Sequence, residues 1–142
     1  MNTLLKRIAL ATIILFVAIQ VLPYGRNHEN PSVLHEPSWN SPATRQLAKR
    51  ACFDCHSHET VWPWYSRIAP VSWLVYHDVV EGREHLNFSD WRGDRKGESA
   101  KKMAEEIRDG EMPPVQYRLA HPEAGLTDEE KQHLVSGLET TK

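Results

Sequence analysis

Only two cysteines occur in the 142 residues, which leaves room for one disulfide, half of a metal site or the attachment of a cofactor, and no more. Sustained period-2 alternation is missing from every segment, and no internal repeat is present, so neither a sheet nor a solenoid is expected. Strong charge of one sign is absent too: 17 basic against 19 acidic residues give a formal net charge of -2, which speaks against a nucleic-acid surface. Lys6 and Arg7 are the only charges in the first 23 residues, which leaves -4 on the remainder. That mildly acidic exterior reads as a solvated face, with a basic partner steered by charge as the alternative. At 40% hydrophobic and 25% charged residues the chain is globular rather than disordered and has length for one domain.

Long apolar runs are scarce, with one exception. Ile8 to Leu22 is broken only by Thr12 and Gln20 and follows Lys6 and Arg7, the order of a basic and then a hydrophobic region in an export signal. Neither Ala18-Ile-Gln20 nor Leu22-Pro23-Tyr24-Gly25 offers a good small-x-small cleavage site, so retention as an anchor is expected. As a helix the run rises about 22 Å against a hydrocarbon core of roughly 30 Å, with Leu4, Leu5 and Tyr24 to extend it at the interfaces. With the basic pair left in the cytoplasm, everything after Pro23 faces outward. A periplasmic domain tethered to the inner membrane follows, against the alternative of a buried helix in a soluble core. The expected organisation is a signal anchor or transmembrane helix over 1–24, a linker over 25–40 rich in Asn, His, Pro and Ser, and a folded domain over 41–142.

Four helices are legible in that domain. Ser41-Pro42 is an N-cap and first-turn pair, after which Ala43, Leu47, Ala48 and Ala51 share a face and lead into Cys52. Val71, Leu74, Val75 and Val79 recur at helical spacing, with Gly82 close to the end. Glu98 to Asp109 puts Ala100, Met103, Ala104 and Ile107 on one side and stops at Gly110, with Pro113 behind it. Thr127-Asp-Glu-Glu130 is a capping box, and Leu134, Val135 and Leu138 line the helix that follows. The exported part is expected to be all-α.

Cys52-Phe53-Asp54-Cys55-His56 is Cys-x-x-Cys-His, the attachment pattern for c-type haem. Thiols three residues apart on a helical turn reach two vinyl groups on one porphyrin edge, and the following imidazole projects toward the iron as an axial ligand. Other chemistries use the same residues. A thioredoxin-like pair needs a strand before the motif, and the segment before this one reads as helix. A zinc site needs four ligands, for which Cys52, Cys55, His56 and His58 are crowded. A disulfide across two residues is usually strained and reactive.

Beyond the motif, Cys52-Phe-Asp-Cys-His-Ser57, Glu59-Thr60, Trp62-Pro-Trp-Tyr-Ser66, Ala69-Pro-Val-Ser-Trp73, Gly82-Arg83, Leu86-Asn-Phe-Ser89, Trp91, Met112-Pro113, Tyr117 and His121-Pro122 resemble the small haem-binding domain proteins of bacterial envelopes. The match runs from about Asn30 to Leu138 and departs at His58, where that family commonly has Asn. The resemblance implies a single covalent haem c in a cytochrome c-like helical domain facing the periplasm. It names a cofactor and no substrate.

Cytochromes of this general class often place a Met before Pro as the distal ligand. Met112, in a loop stiffened by Pro113 and Pro114, suits that role, against the alternative of a core-capping thioether. His77 and His121 compete for it, the first expected on a solvated helical face and the second in a loop. Trp62, Trp64, Tyr65 and Trp73 are walls for a haem pocket or ordinary core. Tyr65, Arg67, Arg83 and Trp91 are donors to the propionates or surface residues. A haem with both axial positions filled transfers electrons; one with an open face senses gases or acts as a peroxidase. Accessory service in a membrane oxidoreductase is the third reading. A single attachment motif excludes a multihaem wire within the chain, so electron relay would require a redox partner protein that the sequence leaves unidentified.

Overall fold

The computed structural model describes residues 2–91 and 95–140, without side chains for 95–99. Residues 1, 141 and 142, which the expected boundaries take in, lie outside the described residues. Among these the chain is all-helical: α1 (Thr3–Ile19), α2 (Pro42–Ala51), α3 (Phe53–His56), α4 (Val71–His85), α5 (Arg95–Asp109), α6 (Val115–Ala120) and α7 (Asp128–Thr140), with short 3-10 turns at Trp64–Arg67 and Pro122–Ala124. One isolated parallel bridge joins His35 and Asp90. No described helix is long and apolar enough to cross a membrane.

Two compact units divide the chain, one of Met1–Glu29 with Trp62–Asp78 and the other of Asn30–Val61 with Val79–Lys142. In the second, α7 packs against α5 and α2. The core holds Ala48 and Ala51 of α2, Phe53, Leu86 and Phe88, Met103, Ala104 and Ile107 of α5, and Leu134, Val135 and Leu138 of α7. Burying each large side chain contributes about 1.5–3 kcal/mol. The caps form as the residue pattern requires. Ser41 Oγ accepts the Thr44 N–H at 3.1 Å, while Thr127 N–H donates to Glu130 and Glu130 N–H to Thr127 Oγ1, the reciprocal pair that satisfies two orphan amides. Residues 30–40 lack helix and are pinned by backbone bonds, Leu34 N–H to Ser89 O and Trp91 N–H to His35 O.

Two expected faces are displaced. In α2 Ala43 is exposed and Thr44 takes its place inward. The Thr44 hydroxyl donates to Asn40 Oδ1 at 2.6 Å, so a buried polar group is satisfied and a face chosen by hydrophobicity alone is one residue off. In α4 Val71 and Leu74 are exposed, whereas Ser72, Val79 and Gly82 are buried. That helix also runs three residues past Gly82 to His85. α5 begins at Arg95, ahead of the expected Glu98.

Gly137 lets α7 lie on α2. A Cβ there would stand 2.7 Å from Thr44 Oγ1 and closer still to Cγ2. Gly137→Ala is expected to lower the unfolding free energy by about 1–3 kcal/mol through overpacking. Thr44→Ser, which removes the nearest methyl, is expected to recover part of that loss in a double-mutant cycle measured by chemical denaturation.

Candidate functional site

The Cys-x-x-Cys-His segment forms one helical turn on the end of α2. Cys52 N–H donates to Ala48 O, closing α2, and Cys55 N–H and His56 N–H both donate to Cys52 O, opening α3. Its two intervening residues are pulled in different directions. Phe53 enters the core, stacked on Phe88 at 5.4 Å, with Trp39 tilted against both and Trp91 stacked on Phe88. Asp54 accepts from Tyr117 Oη at 2.7 Å and from Val61 N–H at 2.9 Å. Burial, then the Asp54 carboxylate, holds the Tyr117 phenol above its ordinary value, as a neutral donor.

Both cysteines are thiols rather than a disulfide. Cys52 is buried and Cys55 half-buried. Burial, with Cys55 beside it, pushes the Cys52 thiol up to about 12, so at neutral pH it is protonated. His56 is buried, with Nδ1 2.8 Å from Gly82 O and 3.0 Å from Leu86 O. Two acceptors against one ring nitrogen require that nitrogen to carry the proton, which leaves Nε2 with its lone pair. Among the described residues Nε2 has no hydrogen-bond partner. Burial holds the imidazole below its ordinary pKa, and the two carbonyls, which would raise it, are the lesser effect. A neutral imidazole oriented through Nδ1–H to a backbone carbonyl is the arrangement that metal-binding histidines use.

The carbonyls are in position because α4 touches the motif. A Cβ on Gly82 would lie 2.5 Å from Cys55 O and 3.0 Å from its Cβ, so only glycine permits the approach. One residue on, Arg83 donates Nε–H to Ser57 O at 2.8 Å and Nη2–H to Asn30 Oδ1 and Thr60 Oγ1. Those donors tie down the loop that follows His56. His58 sits in the same loop, with Nδ1 2.9 Å from Ser32 O and Nε2 receiving Asn87 Nδ2–H.

Met112 follows the end of α5. α5 stops at Gly110, whose φ of +82 is the left-handed cap. Gly110 N–H donates to Ile107 O and Glu111 N–H to Glu106 O, the two bonds of a Schellman motif. Met112 N–H also donates to Glu106 O, and its side chain packs, half-buried, on the cluster that contains Cys52 and Phe53. Cys52, Cys55, His56, Arg83 and Met112 thus belong to one compact unit. Trp62 and Tyr65 belong to the other, where Trp62 stacks on His28 at 4.4 Å and Tyr65 meets Trp64 edge-on. His77 is exposed, as expected of a solvated face, and His121 stacks on Tyr117 beside Glu123.

A family model described as a haem-binding domain matches residues 14–140. The chain belongs to the haem-binding domain family. No curated protein and no solved structure matches it. The donor set fits such a group: a neutral, oriented imidazole with a lone pair on Nε2 sits one residue from the second of two thiols. Tyr117, Gly82, Phe53 and Phe88 stand among the residues that carry the resemblance, and Trp39 does not; residue pattern assigns none of them its role here, because each acts through a partner distant in the chain.

Gly82→Ala in this haem-binding domain forces backbone away from backbone. It is expected to cost about 1–3 kcal/mol and to lower the yield of folded, haem-loaded protein. Glu84→Ala, at an exposed position of the same helix, is expected to change neither, by denaturation and by haem absorbance per protein.

Proposed function

We propose that the chain holds one haem c in thioether linkage to Cys52 and Cys55, with His56 Nε2 and Met112 Sδ as axial ligands, and that it transfers electrons in the bacterial envelope. The observation that carries the reading is the buried His56, its proton committed to the Gly82 and Leu86 carbonyls and its other nitrogen unpaired, immediately after the thiol pair. Cys52 and Cys55 would each add a thiol across a vinyl double bond, sulfur to one carbon and hydrogen to the other, with no oxidant consumed. When bound, the haem iron supplies one-electron redox chemistry.

The protein's own residues hold and orient. Gly82 and Leu86 fix the tautomer of His56. The Schellman motif and the bond from Met112 N–H to Glu106 O hold Met112 in place, and its neutral thioether, as a ligand, would favour the reduced state of the group. Arg83 braces the loop after His56 and Tyr117 braces Asp54 within the motif. The domain would then be a cytochrome c-like arrangement of helices around the haem. Lys6-Arg7 before an apolar helix supports a tether to the inner membrane, with the domain in the periplasm. Local bilayer thinning and snorkelling of the flanking Lys6 and Arg7 accommodate so short a helix.

Covalent attachment is tested on the denatured chain. Haem is expected to remain with the polypeptide through acid-organic extraction, and Cys52→Ala with Cys55→Ala is expected to release it; retention by the double variant overturns the linkage. For the distal ligand, the reduced protein is expected to be low-spin and inert to carbon monoxide. Met112→Ala is expected to bind carbon monoxide and to have a lower reduction potential. Rapid carbon monoxide binding by the unaltered protein would instead favour a sensor or peroxidase-like role.

A further inference from the structure

The unit of Met1–Glu29 and Trp62–Asp78 displays apolar surface that its own packing does not use. α1 buries none of its residues, and Ile13, Leu15 and Phe16 are all exposed. The same unit exposes Trp64, at 75%, and Leu74, at 63%, together with Ile68 and Val71. Single exposed apolar residues are ordinary; four in one short stretch form a patch that needs an occupant.

That stretch is joined to the end of α1. Gln20, the C-cap of α1, pairs its side-chain amide reciprocally with Ala69: Nε2–H donates to Ala69 O at 2.9 Å, and Ala69 N–H donates to Oε1 at 3.0 Å. Farther along, Tyr24 meets Tyr76 edge-on at 5.5 Å. Gly25, with φ +75, lies so close that a Cβ would stand 2.7 Å from Ser72 O. The chain leaving α1 therefore runs along Ala69–Tyr76, and Ile68 and Val71 stand next to the contact that ends α1.

A bilayer is the occupant that agrees with every one of these features. The 17 residues of α1 rise about 25 Å, less than the roughly 30 Å hydrocarbon core, so the exit of such a helix stays within the interfacial zone. Trp and Tyr are favoured at that depth, with an apolar ring and a polar edge. Charge agrees as well. Lys6, Arg7, Arg26 and Arg67 against Glu29 and Asp78 leave this unit at +2, whereas the whole chain is -2. Arg26 and Arg67 lie on the segments at the exit, suited to anionic headgroups.

We propose that Trp64, Ile68, Val71 and Leu74 form an interfacial surface that seats in the headgroup and outer acyl region of the bilayer holding α1, a proposal that rests on the anchor reading above. The full-length haem-loaded protein is reconstituted into phosphatidylethanolamine and phosphatidylglycerol vesicles with p-benzoylphenylalanine replacing Trp64, Leu74, Ile13 or Leu119, one per sample. Leu119 is 79% exposed but belongs to the other unit. After irradiation, mass spectrometry is expected to find lipid adducts from positions 64 and 74 at yields comparable to position 13, and none from 119. Adducts from 13 with none from 64 and 74 overturn the surface and leave the anchor. Absence at all of 13, 64 and 74 overturns both. Adducts from 64 and 74 without one from 13 overturn the anchor, and with it a surface seated beside α1, while equal yield from 119 overturns the surface as a specific site.

Discussion

Because residue 82 has no side chain, the α4 backbone reaches the Cys55 backbone, and that approach sets two carbonyls against Nδ1 of His56. Gly82 and Leu86 are four apart and so lie on one face. Gly82 O already accepts the Leu86 N–H, whereas Leu86 O lies beyond the last helical residue, where a helix has no amides left to offer. The His56 Nδ1–H, from another element, reaches both carbonyls, so one donor serves the helix end and fixes the imidazole. The negative end of the helix dipole would favour a charged ring. Burial outweighs it, and the ring stays neutral and able to coordinate.

The rest of the unit braces that contact. Phe53 anchors the turn in the aromatic cluster with Phe88, Trp39 and Trp91, and Asp54 anchors it to Tyr117 on α6. Arg83, adjacent to the critical glycine, ties the loop after His56 back to residue 30. Ion pairs of Arg45 with Glu36 and of Lys49 with Glu59 add only about 0.2–1 kcal/mol each at such exposed positions. The buried contacts, with little help from surface charge, hold the motif in its geometry.

Much of this was legible in the sequence where the signal is local. The Ser41 cap, the Thr127–Glu130 box, the Gly110 stop and the inward face of α5 each depend on neighbours within a turn, and each appears at its expected place. Readings that required a partner elsewhere in the chain were less complete. Thr44 displaces Ala43 from the core because Asn40 and Gly137 give its hydroxyl and methyl somewhere to go. Val71 and Leu74 have helical spacing and no core to face. Gly82 reads locally as a helix terminator, whereas its use is to vanish beneath Cys55. The all-α class and the haem-binding family were both legible, the second because Cys-x-x-Cys-His is compact enough to need no long-range information.

The two carbonyls that select the tautomer of His56 come from positions 26 and 30 residues downstream. Bringing them together closes a loop, and the entropy of that closure must be met by the packing of α4 on the turn. Before α4 docks, the ring can hold its proton on either nitrogen. A five-residue peptide with the same cysteines and histidine would therefore own the thiols of this site without owning its histidine: the tautomer, as a chemical species, is a product of folding rather than of sequence.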